Sequence, residues 1–101
     1  MITHIESVQQ FDELSAKGDV LVDFFATWCG PCNMLSPVIE NLANAHPELA
    51  VLKVDVDELP TLAQRFGVSS IPTLLYCVNG EVVDRGLGFM PLPNLTAFVR
   101  R

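Results

Sequence analysis

The chain has 101 residues, of which half are hydrophobic and 18% are charged, so we expect one folded domain over residues 1–101 and no disorder. Twelve acidic residues against six basic ones give a net charge of −6, which argues against nucleic acid or an anionic membrane surface as a partner. No apolar run could span a bilayer, the first residues do not resemble a signal peptide, and three cysteines are too few for a secreted disulfide framework, so we expect a cytoplasmic protein.

The N-terminal third predicts a helix followed by a buried strand. Ser7 begins a capping-box pattern, and apolar residues follow at helical spacing over residues 8–14, so a helix should end near Gly18. Residues 19–26 are almost continuously apolar and rich in β-formers, and Asp23 interrupts them. This pattern is typical of a central strand that is covered on both faces.

The middle of the chain predicts two helices around a second strand. Over residues 35–43, apolar side chains form the single stripe of a helix that Pro37 should kink and that ends at His46. Residues 49–55 predict another buried strand, and residues 58–66 predict a short helix.

The C-terminal third predicts a hairpin and a last helix. Residues 73–78 are apolar and β-prone, Asn79 and Gly80 form the strongest short turn signal, and residues 81–85 should pair back. Pro93 suits the first turn of the helix that follows. The predicted order is β-α-β-α-β-α-β-β-α, which indicates an α/β fold whose mixed sheet is flanked by helices on both faces.

The candidate chemistry lies in the motif Trp28-Cys29-Gly30-Pro31-Cys32, between a strand and the first turn of a helix. Cysteines three residues apart on a helix have Cα atoms about 5–6 Å apart, so they can cycle between dithiol and disulfide. Cys29 would face the unpaired N–H groups and the positive end of the helix dipole, which favours its thiolate. We therefore expect Cys29 to attack a substrate disulfide and Cys32 to resolve the mixed disulfide.

Two other interpretations of the motif stay open at this point. The cysteines could be half of a zinc site, but zinc needs four ligands and the other candidates, Cys77, His4 and His46, are scattered. They could also be inert structural thiols. A C-x-x-C motif at a strand-to-helix turn favours the redox pair, and we expect no metal.

The chain resembles the thioredoxin family over nearly its whole length. The matching stretches are VDFFATWCGPC at residues 22–32, KVDVD at residues 53–57, FGVSSIPT at residues 66–73, Asn79-Gly80-Glu81 and Gly88. The resemblance implies the thioredoxin fold and a general protein-disulfide reductase. Gly30 and Pro31 are typical of the reducing members, and both contribute to the redox properties.

The resemblance also implies how the reductase is recharged. A thioredoxin reductase, which is an NADPH-dependent flavoprotein, would reduce the Cys29–Cys32 disulfide. This chain would bind no cofactor itself, because it has no G-x-G-x-x-G turn. Its other partners would be disulfide-containing proteins, and we expect a monomer. The rival interpretation is a binding module in which the cysteines are incidental.

By resemblance, Asp23 and Lys53 assist the cysteines. Asp23 should be buried near Cys32, where desolvation raises its pKa and where it exchanges a proton with Cys32. Lys53 would be the cation that tunes Asp23. The alternatives are a core carboxyl satisfied by hydrogen bonds and a strand-end lysine whose head reaches water.

By resemblance, Ile71, Pro72, Gly88 and Trp28 contact the substrate. The Ile71-Pro72 bond would be cis, and the backbone before it would pair with an extended substrate segment. Gly88 would let a partner approach, or would be a plain turn residue. Trp28 would cover the site, or would be a core residue.

The chain departs from the family pattern at three places. Phe25 stands where a second tryptophan is usual, and residues 90–93 are rich in proline, which could alter the partner surface. Cys77 is extra, and it is interpreted as a small core hydrophobe or as a regulatory thiol.

Overall fold

The structure is a computed structural model that describes residues 1–100. Its strands are β1 (Ile2–His4), β2 (Asp19–Phe25), β3 (Ala50–Asp55), β4 (Thr73–Val78) and β5 (Glu81–Leu87). Its helices are α1 (Val8–Leu14), α2 (Gly30–Ala45), α3 (Pro60–Arg65) and α4 (Leu92–Phe98). The predicted order of elements is confirmed, and its first strand is the short β1.

The five strands form one mixed sheet in the order β1-β3-β2-β4-β5. β3 is parallel to both β1 and β2, whereas β4 is antiparallel to β2 and to β5, and of these pairings the sequence predicted that of β4 with β5. Asn79 and Gly80 join β4 to β5 with positive φ angles of 49° and 87°, the conformation that a two-residue hairpin turn requires. The mixed α/β sheet is therefore confirmed, with the apolar strand β2 at its centre.

The core is divided between the two faces of the sheet, because successive side chains of a strand point to opposite faces. On one face, the buried cluster includes Leu21 of β2 together with residues of α2 and α4. On the other face, the cluster includes Val22 and Phe24 of β2 together with residues of α1 and α3. Asp23 lies on the same face as Leu21, beneath α2.

Three predicted boundaries differ from the structure by two or more residues. α1 ends at Leu14 and not near Gly18, because the i to i+4 hydrogen bonds of the helix stop with the bond from the Ser15 N–H to the Phe11 carbonyl. α3 begins at Pro60, two residues later than predicted, because proline suits the first helical turn and the preceding Leu59 offers no capping side chain. β5 continues to Leu87 instead of ending at Arg85, because its pairing with β4 extends to the Thr73–Leu87 pair. Within the described residues, no helix is both long enough and apolar enough to cross a membrane.

Candidate functional site

The cysteine pair lies at the junction between β2 and α2. Cys29 is the N-cap residue of α2, and its sulfur accepts a hydrogen bond of 3.2 Å from the Cys32 backbone N–H. The two residues form a disulfide with a Cα–Cα distance of 5.2 Å, which agrees with the spacing expected for a redox pair. Gly30 and Pro31 are exposed between them, whereas Cys29 and Cys32 are only 5% and 3% exposed.

The start of α2 provides a local positive potential at the Cys29 sulfur. The first N–H groups of a helix lack partners within the helix and carry the positive end of its dipole. Because Cys29 precedes this turn and Cys32 lies inside it, the two sulfurs are not equivalent.

The loop before β4 lies against the cysteine pair. The Ile71-Pro72 peptide bond is cis, which confirms the expectation for this bond. The Cys29 sulfur lies 3.8 Å from the Ile71 carbonyl oxygen, and the Gly88 N–H donates a hydrogen bond of 2.8 Å to the Pro72 carbonyl. Gly88 has a φ of 82°, a conformation that favours glycine. The fold thus brings together four residues that lie up to 59 positions apart in this sequence.

Trp28 lies on the surface beside the pair. Its side chain is 71% exposed, so the core interpretation is wrong. Its indole N–H donates a hydrogen bond of 2.7 Å to the Asp57 carboxylate, which fixes the ring at the rim of the site. Trp28 and Ile71 also border a groove of about 170 Å³ whose other residues are Val56, Val68, Ser69 and Ser70. An extended peptide beside Ile71 would meet this groove.

Asp23 is buried in the central strand and is 1% exposed. Burial raises the pKa of Asp23 above its ordinary value, and the opposite charge of Lys53 counteracts part of that effect. One carboxylate oxygen, Oδ2, lies 3.5 Å from the Lys53 ammonium. The other, Oδ1, is buried and makes no hydrogen bond with the described residues. Asp23 is therefore a carboxyl group with one free acceptor, which differs from a core carboxyl satisfied on both oxygens.

Lys53 is a buried cation beside Asp23, as expected. The two residues are direct neighbours in the register of β2 and β3, and Lys53 is 8% exposed. Its ammonium donates a hydrogen bond of 3.3 Å to the Ser36 hydroxyl and lies 4.8 Å from the centroid of the Phe25 ring. The alternative of a lysine whose head reaches water is wrong.

Sequence reasoning missed two side chains that touch the predicted site. Asp57, which holds Trp28, was included only in the stretch that carries the family resemblance, and Ser36, which contacts Lys53, was not singled out. The acidic pattern KVDVD at residues 53–57 is the one signal that includes Asp57. No local pattern marks Ser36, because its partner lies 17 residues away.

Cys77 lies apart from the redox pair. It is 4% exposed and belongs to the cluster beneath α1 and α3, and burial raises the pKa of its thiol. This location confirms its interpretation as a core residue. Among residues 1–100, no three His, Cys, Asp or Glu side chains come together as metal ligands. A larger cavity of about 290 Å³ lies near Asp19 and His46, and none of the predicted site residues lines it.

Comparisons with known proteins agree on one family. The family profile described as thioredoxin matches residues 2–101. The thioredoxin of Chlamydia muridarum is 45% identical over 100 residues, which cover 99% of this chain and 98% of that protein. The thioredoxin of Staphylococcus haemolyticus is 54% identical over 86 residues, which cover 84% of this chain and 83% of that protein.

Solved structures show the same fold. A mutant thioredoxin from Halobacterium salinarum superimposes with a TM-score of 0.89 at 38% identity, covering 97% of this chain and 87% of that one. The thioredoxin of Malassezia sympodialis gives a TM-score of 0.88 at 36% identity, covering 96% of this chain and 89% of that one. These similarities extend over all the elements that position the cysteine pair.

Proposed function

This chain belongs to the thioredoxin family and exchanges dithiols with disulfides through Cys29 and Cys32, and from that premise we propose which residue carries out each step. It is a thiol–disulfide oxidoreductase whose redox group is the Cys29–Cys32 disulfide. The observation that carries the proposal is the position of Cys29 at the start of α2, 3.8 Å from the Ile71 carbonyl.

In the reduced protein, Cys29 is the nucleophile. Its thiolate attacks one sulfur of a substrate disulfide, a bond forms between Cys29 and that sulfur, and the other substrate sulfur leaves as a thiolate. The positive end of α2 supports this role because it favours the anion at Cys29. Gly30 and Pro31 are exposed, so a large substrate can approach the first turn of α2 beside the sulfur of Cys29, which is itself 5% exposed.

Cys32 resolves the mixed disulfide with the help of Asp23. The Cys32 thiol transfers its proton to the free oxygen Oδ1 of Asp23, directly or through a water, and the thiolate attacks the Cys29 sulfur. The Cys29–Cys32 disulfide forms, and the second substrate sulfur leaves as a thiolate that takes a proton from solvent. The raised pKa of Asp23 supports this role, because a stronger base accepts the proton more readily. Lys53 tunes Asp23 by its charge.

The substrate binds as an extended segment across the loop before β4. The backbone at Ile71 and Pro72 pairs with it as an added strand, while Trp28 and Gly88 flank it. The exposed indole of Trp28 and the open space beside Gly88, which has no side chain, support this arrangement, since one offers apolar surface and the other leaves room.

We also propose that a thioredoxin reductase, an NADPH-dependent flavoprotein, returns the oxidised pair to the dithiol. The other partners are disulfide-containing proteins, and the chain acts as a monomeric single domain in the cytoplasm. The cytoplasm suits this activity, because a dithiol donor works only where it is kept reduced.

The reduction of insulin tests the proposal. With dithiothreitol as electron donor, the protein should accelerate the turbidity that free insulin B chains produce. The variant with both Cys29→Ser and Cys32→Ser is the matched control, because it keeps Cys77 and should be inactive. If the protein gives no acceleration over dithiothreitol alone, the reductase proposal fails and a binding module is favoured.

A further inference from the structure

Ser36 contacts the Lys53 ammonium from outside the sheet. Ser36 lies on α2 and is half-buried, and its hydroxyl oxygen is 3.3 Å from the Lys53 ammonium. The same ammonium is 3.5 Å from Asp23 Oδ2 and 4.8 Å from the centroid of the Phe25 ring. Three groups from two different elements thus surround a buried charge.

The distances indicate that Asp23 and Ser36 share the ammonium. A hydrogen bond between an ammonium and a carboxylate is usually about 2.7–2.9 Å long. The separation of 3.5 Å between Lys53 and Asp23 is clearly longer, although both side chains are at least nine-tenths buried and the residues are neighbours in register. The hydroxyl of Ser36 and the ring face of Phe25 are the two other groups that attract this ammonium.

We propose that Ser36 is a positioning residue that holds the Lys53 ammonium away from direct contact with the Asp23 carboxylate, so that Asp23 stays able to take a proton from Cys32. This inference rests on the proposed role of Asp23. A shorter contact would favour the ionised carboxylate and would weaken Asp23 as a base. Ser36 thereby adjusts a proton transfer in which it does not itself take part.

The charged groups that act on Asp23 come from β3, which pairs with β2, and from β1, which pairs with the far side of β3. Lys53 lies on β3 and His4 on β1, and both favour the ionised carboxylate. On β4 the residue opposite Asp23 is the apolar Leu74, and α2 contributes Ser36, which contacts Lys53. In the oxidised protein Cys32 does not titrate, so a change at Ser36 reaches Asp23 through Lys53.

The titration of Asp23 in the oxidised protein tests the proposal. Carbon-13 in the aspartate carboxyl groups gives the pH midpoint of Asp23 by NMR. We expect Ser36→Ala to lower that midpoint by about half to one pH unit, the effect of closing 3.5 Å to about 2.8 Å at an effective dielectric constant of about 20. In the insulin assay, the same variant should lose about two- to threefold in rate at neutral pH, because its base is weaker.

Two further variants separate positioning from a general effect on folding. Ser36→Thr keeps the hydroxyl and should restore the midpoint, and Ser15→Ala removes an equally half-buried serine at the end of α1 and should leave it unchanged. A midpoint that stays constant or rises in Ser36→Ala, or that falls equally in Ser36→Thr, overturns the proposal. If instead the wild-type protein does not accelerate insulin reduction, the proposed function fails, and the titration still decides the role of Ser36.

Discussion

The pair of Lys53 and Asp23 predicts how stability depends on pH when the cation is removed. Lys53→Met keeps most of the side-chain volume and deletes the charge. At 3.5 Å and an effective dielectric constant of about 20, the attraction between the two charges is about 5 kcal/mol. The variant must then either bury an unpaired carboxylate or keep Asp23 protonated.

The direction in which stability changes with pH follows from the pKa of Asp23, which burial already raises above its value in the unfolded chain. A raised folded pKa means that the contribution of Asp23 to stability is complete below the unfolded pKa and is lost as the pH rises through the folded pKa. Without Lys53 the pKa of Asp23 in the folded protein rises further, so the free energy of unfolding continues to fall up to a higher pH. The loss from one group is at most about 1.4 kcal/mol per pH unit, or about 4 kcal/mol between pH 5 and pH 8.

Urea unfolding of both proteins at pH 5 and pH 8 measures the effect. We expect Lys53→Met to lose about 1–3 kcal/mol more than the wild type between these two pH values, because the raised pKa of Asp23 already causes part of the loss in the wild type. The variant Asp23→Asn is the control, because adding Lys53→Met to it should cost the same at both pH values. Equal losses in the wild type and in Lys53→Met would show that the lysine does not respond to the charge of Asp23, and would refute the reasoning.

Three other changes test the site and the core. Cys32→Ser should accumulate mixed disulfides with substrate proteins through Cys29, whereas Cys29→Ser should trap far fewer; equal trapping on non-reducing gels would contradict the assigned roles. Cys77→Ala should cost about 1 kcal/mol in urea unfolding and leave insulin reduction unchanged, because Cys77 is a buried core residue; a slower reaction would indicate a redox role. Gly88→Ala should cost about 1–2 kcal/mol through its positive φ alone, since the added carbon meets no atom within 4 Å; an unchanged melting curve would refute the strain.

Local sequence patterns predicted the elements well where one pattern dominates. Ser7 accepts the hydrogen bond from Gln10 that the capping-box pattern predicts, and the strand predicted over residues 19–26 is β2. Asp23 could be placed in the core from sequence because its neighbours in the strand are apolar. The start of α3 was misplaced because Leu59 carries no capping side chain that would mark it.

Contacts between distant elements could not be predicted from local patterns. The pairing of Asp23 with Lys53 depends on β3 lying beside β2 in one particular register, and only the family resemblance indicated it. The contact between Ser36 and Lys53 depends on how α2 crosses that pair of strands. The hydrogen bond from Trp28 to Asp57 likewise joins two loops that follow neighbouring strands.

Substitutions in the two halves of the core have different effects, because the charged residues lie on only one face of the sheet. Asp23, Lys53 and Ser36 all belong to the side of α2, so substitutions there change both packing and proton affinity. Residues such as Phe24 and Leu62 belong to the buried apolar cluster on the opposite side of the sheet. Repacking the side of α1 and α3 should therefore raise the melting temperature of the chain without changing its disulfide-reductase activity.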